Sequence, residues 1–123
     1  MPVAEKKINK YQIYNILKNY HWMNKEVKRI EEELYQLNNT NITETAEGKM
    51  RIRDTKRTRL LEYLEMINFI DKRAPVIVGI KESAILDCLL DGMSVTAVAR
   101  HFGMSRAQAH RIRDDIVDKL AEG

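Results

Sequence analysis

Four side chains near the end of the chain could read DNA: Arg106, Gln108, His110 and Arg111. An arginine can donate two parallel hydrogen bonds to guanine, and a glutamine can pair with adenine. The imidazole ring adds a hydrogen-bond donor and an acceptor. Each good pair contributes about 1–3 kcal/mol of discrimination between bases. These residues, within six positions, therefore indicate recognition of base edges.

The segment that carries them, Ser94 to Leu120, is typical of two short helices joined by a tight turn. Ser94 and Ser105 are suited to cap the two helix N-termini. Gly103 stands at the turn, where a positive φ is easiest for glycine, and Ala99 is small where the helices would meet. The pattern predicts a helix-turn-helix whose second helix enters the major groove. The alternative is an ordinary pair of small helices. The caps, the glycine and the core positions all agree with the helix-turn-helix, and this agreement favours it over the alternative.

The second helix of this motif has two distinct sides at 100° per residue. Its apolar side consists of Ala109, Ile112, Ile116 and Leu120. The candidate DNA contacts on or beside the other side are Arg100, Ser105, Arg106, Ala107, Gln108, His110 and Arg111. Asp114, Asp115 and Asp118 would repel phosphates, so we expect DNA contact to be confined to the first two turns.

The stretch from Lys81 to Leu120 resembles region four of bacterial sigma factors, the helix-turn-helix that reads the upstream promoter element. The matching residues are Val98, Phe102-Gly103, Ser105-Arg106, Ile112 and Lys119-Leu120. The resemblance implies that the positions contacting bases and phosphates are those of Arg106, Ala107, Gln108, His110 and Arg111. Ala107 replaces the usual base-reading Glu and His110 the usual Arg, so a different DNA target is implied. The other sigma regions are lacking, so promoter opening by this chain alone is not expected.

The whole layout is similar to ArpU/RinA-like regulators, the late-gene activators of phages and prophages of Gram-positive bacteria. It has a long helical first half, then Tyr63-Leu64 and Ile70-Asp71 before a connector, and then the helix-turn-helix. This resemblance implies a transcription activator of phage type.

The first half of the chain has a heptad pattern between Ile8 and Leu37, which predicts a long helix with a packing seam. One position holds Ile13, Tyr20, Val27 and Leu34, and the other holds Ile16, Met23, Ile30 and Leu37. Asn38 to Gly48 is predicted to be a loop. A second helix is predicted from Asp54 to Lys72. Because its apolar residues surround most of the helix, we expect it to be covered on several sides, either between the first helix and the C-terminal unit or in a dimer interface.

The fold class predicted from these elements is all-α. A third helix, Lys81 to Leu90, is expected to turn Ile80, Ala84, Ile85, Cys88 and Leu89 inward and to complete a three-helix unit. The predicted organisation is a helical hairpin or dimerisation unit at 1–75 and a helix-turn-helix domain at 76–123.

The heptad seam could be used within the chain or between two copies. A parallel homodimer would place Glu26 opposite Glu31 of the other copy, which disfavours that arrangement. An antiparallel pairing avoids the repulsion. Since helix-turn-helix proteins commonly dimerise to read paired half-sites, we expect a homodimer without specifying its interface.

A basic strip, Lys49 to Arg59, carries six positive charges and one negative charge. Its candidate phosphate contacts are Lys49, Arg51, Arg53, Lys56, Arg57 and Arg59. In one interpretation the strip binds DNA phosphates, which would make affinity fall steeply with salt. In the other, a hairpin places Glu31, Glu32 and Glu33 beside Lys56 and Arg57, and the charges neutralise one another.

Composition narrows the function classes. The net charge of the 123 residues is only +3, so DNA affinity must come from local clusters. The widely spaced histidines and the single Cys88 make no zinc pattern, and no phosphate-binding loop or catalytic motif is present. We therefore expect no enzyme activity, cofactor or metal. The lack of a signal-like or membrane-spanning apolar run predicts a cytoplasmic protein.

Two other functions fit the same sequence. A phage DNA-packaging subunit like the small terminase also combines a helix-turn-helix with helical oligomerisation segments. A protein-interaction module could instead bind RNA polymerase or a repressor, and the aspartates of the last helix favour that role.

Overall fold

The computed structural model describes residues 9–39 and 46–122, and in these ranges all regular structure is helical. The elements are α1 (Lys10–Asn39), α2 (Ala46–Arg73), a 3₁₀ turn (Ala74–Val76), α3 (Ile80–Leu90), α4 (Val95–Phe102) and α5 (Arg106–Glu122). The predicted all-α class is confirmed. None of the described helices is long and apolar enough to cross a membrane.

Helices α1 and α2 form an antiparallel hairpin, and the predicted seam of α1 faces its interior. The seam residues of α1 that are buried are Ile13, Ile16, Met23, Val27 and Ile30, while Tyr20, Leu34 and Leu37 are half-buried. Near the open end, the Tyr20 hydroxyl donates a hydrogen bond to Asp71 at 2.6 Å. The seam is thus filled within one chain.

One prediction about α2 was wrong. The helix begins at Ala46 rather than Asp54, because Gly48 costs a helix only about 1 kcal/mol and good helix formers follow it. The predicted loop therefore ends earlier, and residues 40–45 lie outside the described part. Within the single chain α2 is not covered on several sides, since Leu61 is 65% exposed and Met66 is 38% exposed; its cover in a dimer interface stays a prediction.

The inward face of α3 differs from the prediction at one end. Ile80 is 91% exposed, because it is the first residue of the helix after Gly79 and extends beyond the packed face. Ile85, Leu86 and Leu89 are buried, whereas Ala84 and Cys88 are half-buried.

Most of the buried side chains described in the predicted segments 1–75 and 76–123 belong to one hydrophobic cluster. It joins Ile13 and Met23 of α1 and Ile70 of α2 to Ile85 of α3 and Ile116 of α5. Helix α1 packs directly on α3 and α5 as well as on α2. The hairpin therefore supports the C-terminal helices through a shared core.

Candidate nucleic-acid interface

The turn between α4 and α5 has the geometry that its sequence predicts. Ser94 Oγ accepts a hydrogen bond from the Ala97 N–H at 3.1 Å, and Ser105 Oγ accepts one from the Gln108 N–H at 3.1 Å. Gly103 adopts the left-handed conformation, with φ 66° and ψ 38°. These contacts define where α4 ends and where α5 begins.

Small residues allow α4 and α5 to lie close together. Ala99 of α4 is 3% exposed and Ala109 of α5 is 1% exposed. The Met104 N–H donates to the Ala99 carbonyl at 2.9 Å, which ties the turn to the end of α4. Ile116 and Leu120 are completely buried, so the apolar side of α5 lies against the core, as predicted.

The candidate DNA contacts share the outer surface of this motif. Those that are exposed are Arg100, Ser105, Arg106, Ala107, Gln108 and Arg111, and His110 is half-buried. Within the described part of the chain, no carboxylate forms an ion pair with Arg100, Arg106 or Arg111. The end of α4 and the first two turns of α5 thus present three arginines to solvent.

The second half of α5 is tied to α1. The Tyr14 hydroxyl donates to Asp114 Oδ1 at 2.6 Å, and Lys10 Nζ lies 2.6 Å from Asp118 Oδ1. The Tyr14 hydrogen bond, with a further one from Arg113, lowers the pKa of Asp114. Arg113 also lies over the Tyr14 ring, 4.9 Å from its centre. Sequence reasoning missed these contacts, since Tyr14 and Asp114 are 100 residues apart and share no local pattern.

These ties alter the expected role of the aspartates. Asp114 and Asp118 each lie beside a cation, Arg113 and Lys10 respectively, whereas Asp115 is exposed. The repulsion that was expected to limit DNA contact is therefore reduced at two of the three positions. Helix α1 contacts α5 at Asp114 and Asp118, beyond the exposed first turns.

The basic strip divides between the two interpretations. Lys56 forms an ion pair with Glu33, as the charge-pairing interpretation expected. Arg51, Arg57 and Arg59 are exposed and Arg53 is half-buried. Among the described side chains, none of these four arginines forms an ion pair. The expected contact by the Lys49 side chain lies outside the described residues.

The described residues contain no cluster of three or more His, Cys, Asp or Glu side chains that could hold a metal ion. Cys88 is a half-buried free thiol on α3.

The chain is similar to the uncharacterised protein YqaQ of Bacillus subtilis (strain 168). The identity is 26% over 136 aligned positions, which cover 94% of this chain and 90% of the relative. No protein family and no solved structure matches the chain. The likeness to YqaQ extends across the hairpin as well as the helix-turn-helix.

Proposed function

We propose that this protein is a sequence-specific regulator of transcription that binds double-stranded DNA. The observation that carries the proposal is the surface around the start of α5, where Arg106, Gln108 and Arg111 are exposed on a helix held by a left-handed glycine turn. Arginine and glutamine are side chains that read base edges bidentately. The buried opposite side of α5 holds these groups on a rigid support.

The roles of the contacts follow from their positions. Arg106, Gln108 and Arg111 reach the base edges or the flanking phosphates from the first two turns of α5. Arg100 at the end of α4 and the Ser105 hydroxyl are suited to phosphate oxygens, which set the register of the protein on the duplex. Ala107 leaves room between the longer side chains.

The biological setting of the proposal comes from the resemblance to ArpU/RinA-like activators. It extends the function to activation of phage or prophage late genes. We further propose that the protein acts in the cytoplasm as a homodimer, with RNA polymerase as a candidate partner. Dimerisation would place two recognition helices on half-sites separated by about 34–36 Å, one turn of DNA.

The test begins with selection of bound duplexes from a random pool by the full chain. Affinity for the enriched duplex is then measured for Arg106→Ala and Arg111→Ala. One bidentate pair contributes about 1–3 kcal/mol, so we expect each substitution to reduce the affinity for the enriched duplex by about 5- to 150-fold. Arg111→Lys retains the charge but not the fork of donors, so it should recover only the sequence-independent part of the affinity.

Lys28→Ala is the matched control, because it removes one positive charge from an exposed position of α1. It should leave the preference for the enriched duplex unchanged. No enrichment by the unaltered chain, or undiminished affinity in both arginine variants, would contradict the proposal. A palindromic site would support the dimer, whereas a large ring in a solution-mass measurement would favour the packaging alternative.

A further inference from the structure

We propose that a second cationic site, the cleft between α1 and α2, binds backbone phosphates of the same duplex without reading its sequence. The inference rests on the proposed DNA-binding function. We call this site the hairpin cleft, and its polar lining consists of Arg29, Glu33, Arg51, Thr55, Lys56 and Arg59. The open cleft is thus lined by four cationic side chains and one carboxylate.

The acidic groups around the hairpin cleft are largely engaged by two of its cations. Glu33 pairs with both Arg29 and Lys56, and Glu26 pairs with Arg29 at 2.7 Å. The Lys56 hydrogen bond is the main cause of the lowered pKa of Glu33. The positive charge of Arg59 also lowers the pKa of Glu26, but no hydrogen bond joins the two side chains. In the described part of the chain, this leaves Arg51 and Arg59 without a carboxylate in ion-pair contact.

Arg51 and Arg59 are placed to follow an extended anion. They lie eight residues apart on α2, which corresponds to about 12 Å along the helix axis, and only about 80° apart around it. Thr55 lies between them, and its hydroxyl, which donates to the Arg51 carbonyl at 3.0 Å, retains its acceptor capacity. The guanidinium fork matches the geometry of phosphate oxygens. Two arginines spaced along one helix favour a linear polyanion over a compact ligand.

The position of the hairpin cleft also suits a duplex bound at α5. Arg29 lies fifteen residues along α1 from Tyr14, whose hydroxyl binds Asp114 in the second half of α5. The hairpin cleft is therefore about 22 Å along α1 from the contact that anchors α5. One turn of DNA is about 34–36 Å long, so a duplex with flanking base pairs is longer than this separation.

The experiment compares the full chain with the double variant Arg51→Gln and Arg59→Gln. Affinity is measured over a range of salt concentrations for the selected duplex with long flanks and for an unrelated duplex of equal length. We expect both affinities to fall by the same factor, with the ratio between them unchanged. The slope of the logarithm of the binding constant against the logarithm of the salt concentration should become shallower. The expected change is about 0.9 for each phosphate that the variant no longer neutralises, or about 1.8 for two.

The matched control is Lys25→Gln with Lys28→Gln, which removes two exposed charges of α1 that do not line the cleft. Far-ultraviolet circular dichroism checks that both double variants retain their helices. An unchanged salt slope in the Arg51 and Arg59 variant would overturn the inference and leave the proposed function standing.

Two further results separate the inference from its alternatives. If the unaltered chain binds no duplex even at low salt, the proposed function fails and the inference fails with it. If poly-glutamate binds the unaltered chain and not the cleft variant, while duplex affinity is equal for both, an acidic protein segment is the ligand. That result would also overturn the inference.

Discussion

The two halves of α5 have opposite surroundings. The outer side of its first two turns is exposed and presents Arg106 and Arg111 without ion-pair partners in the described structure, whereas the later turns bury Ile116 and Leu120 completely. The second half is also tied to α1 through the Tyr14–Asp114 hydrogen bond. One helix thus combines a surface for recognition with an anchor that restrains it.

Because of this difference, we expect stability and DNA affinity to depend on different parts of the same helix. The anchor gains its stability from burial of apolar side chains and from contacts with α1. The recognition surface makes few contacts within the chain, so its side chains are available to a ligand. Substitutions in the two halves should therefore separate the two properties.

The largest effect is expected from Ile116→Ala in the anchor. Truncation of a fully buried isoleucine leaves a cavity and costs about 2–5 kcal/mol in the free energy of unfolding. Urea denaturation measures this loss, with Arg111→Ala as the control from the exposed half, which should stay within about 0.5 kcal/mol of the unaltered chain. Equal destabilisation by the two substitutions would show that the exposed and the buried halves of α5 contribute alike to stability.

An intermediate effect is expected at the turn that joins the recognition helix to α4. A Cβ at Gly103 would meet no atom within 4 Å, so Gly103→Ala is costly only through its left-handed conformation. That conformation costs about 1–2 kcal/mol for a residue with a Cβ, and Gly103→Asn should cost less because asparagine tolerates it better.

Thermal and urea unfolding measure both Gly103 variants. Gly92 offers a useful contrast, since its φ of 94° lies farther from the ordinary left-handed helical region, while a Cβ there would make an ordinary contact with the His21 ring at 3.4 Å. Gly92→Ala should therefore destabilise the protein at least as much as Gly103→Ala. The reverse order would show that the backbone at Gly92 shifts to a relaxed φ at less cost than the backbone at Gly103.

The smallest effect is expected from Tyr14→Phe, which removes the hydrogen bond between α1 and Asp114. Because the site is partly exposed, we expect a loss of about 1 kcal/mol or less at neutral pH. The pKa of Asp114 is lowered in the folded chain, chiefly by this hydrogen bond. The ionised Asp114 carboxylate therefore stabilises the folded chain above its unfolded pKa. This stabilisation is lost as the pH falls through its folded pKa.

Acid titration sharpens this prediction. The stability difference between the unaltered chain and Tyr14→Phe should shrink as Asp114 becomes protonated, and nuclear magnetic resonance should report a higher pKa for Asp114 in the variant. Tyr11→Phe is the control, because Tyr11 is 80% exposed. A constant difference at all pH values would show that Asp114 does not carry the effect.

Local signals predicted the motif well because they act within a few residues. The serine caps, the left-handed glycine and the apolar face of α5 all occur where the sequence placed them. The start of α2 was misplaced by a local signal, Gly48, whereas the other differences arose where burial depends on distant elements. Leu61 and Met66 are apolar and yet exposed, because α1 covers only one face of α2. Ile80 is exposed for a similar reason, since it extends beyond the packed face of α3.

The sequence was enough to assign the all-α class, the serine caps, the turn at Gly103 and the apolar face of α5, because these depend on hydrogen bonds and side-chain spacing within one or two helical turns. The packing of the helices settled which distant polar groups meet. The Tyr14 hydroxyl binds Asp114, a contact that no local pattern indicated. Lys56 pairs with Glu33, which was one of the two outcomes that the sequence left open for the basic strip. Both contacts join residues far apart in the chain, and they form because the apolar core brings their helices together.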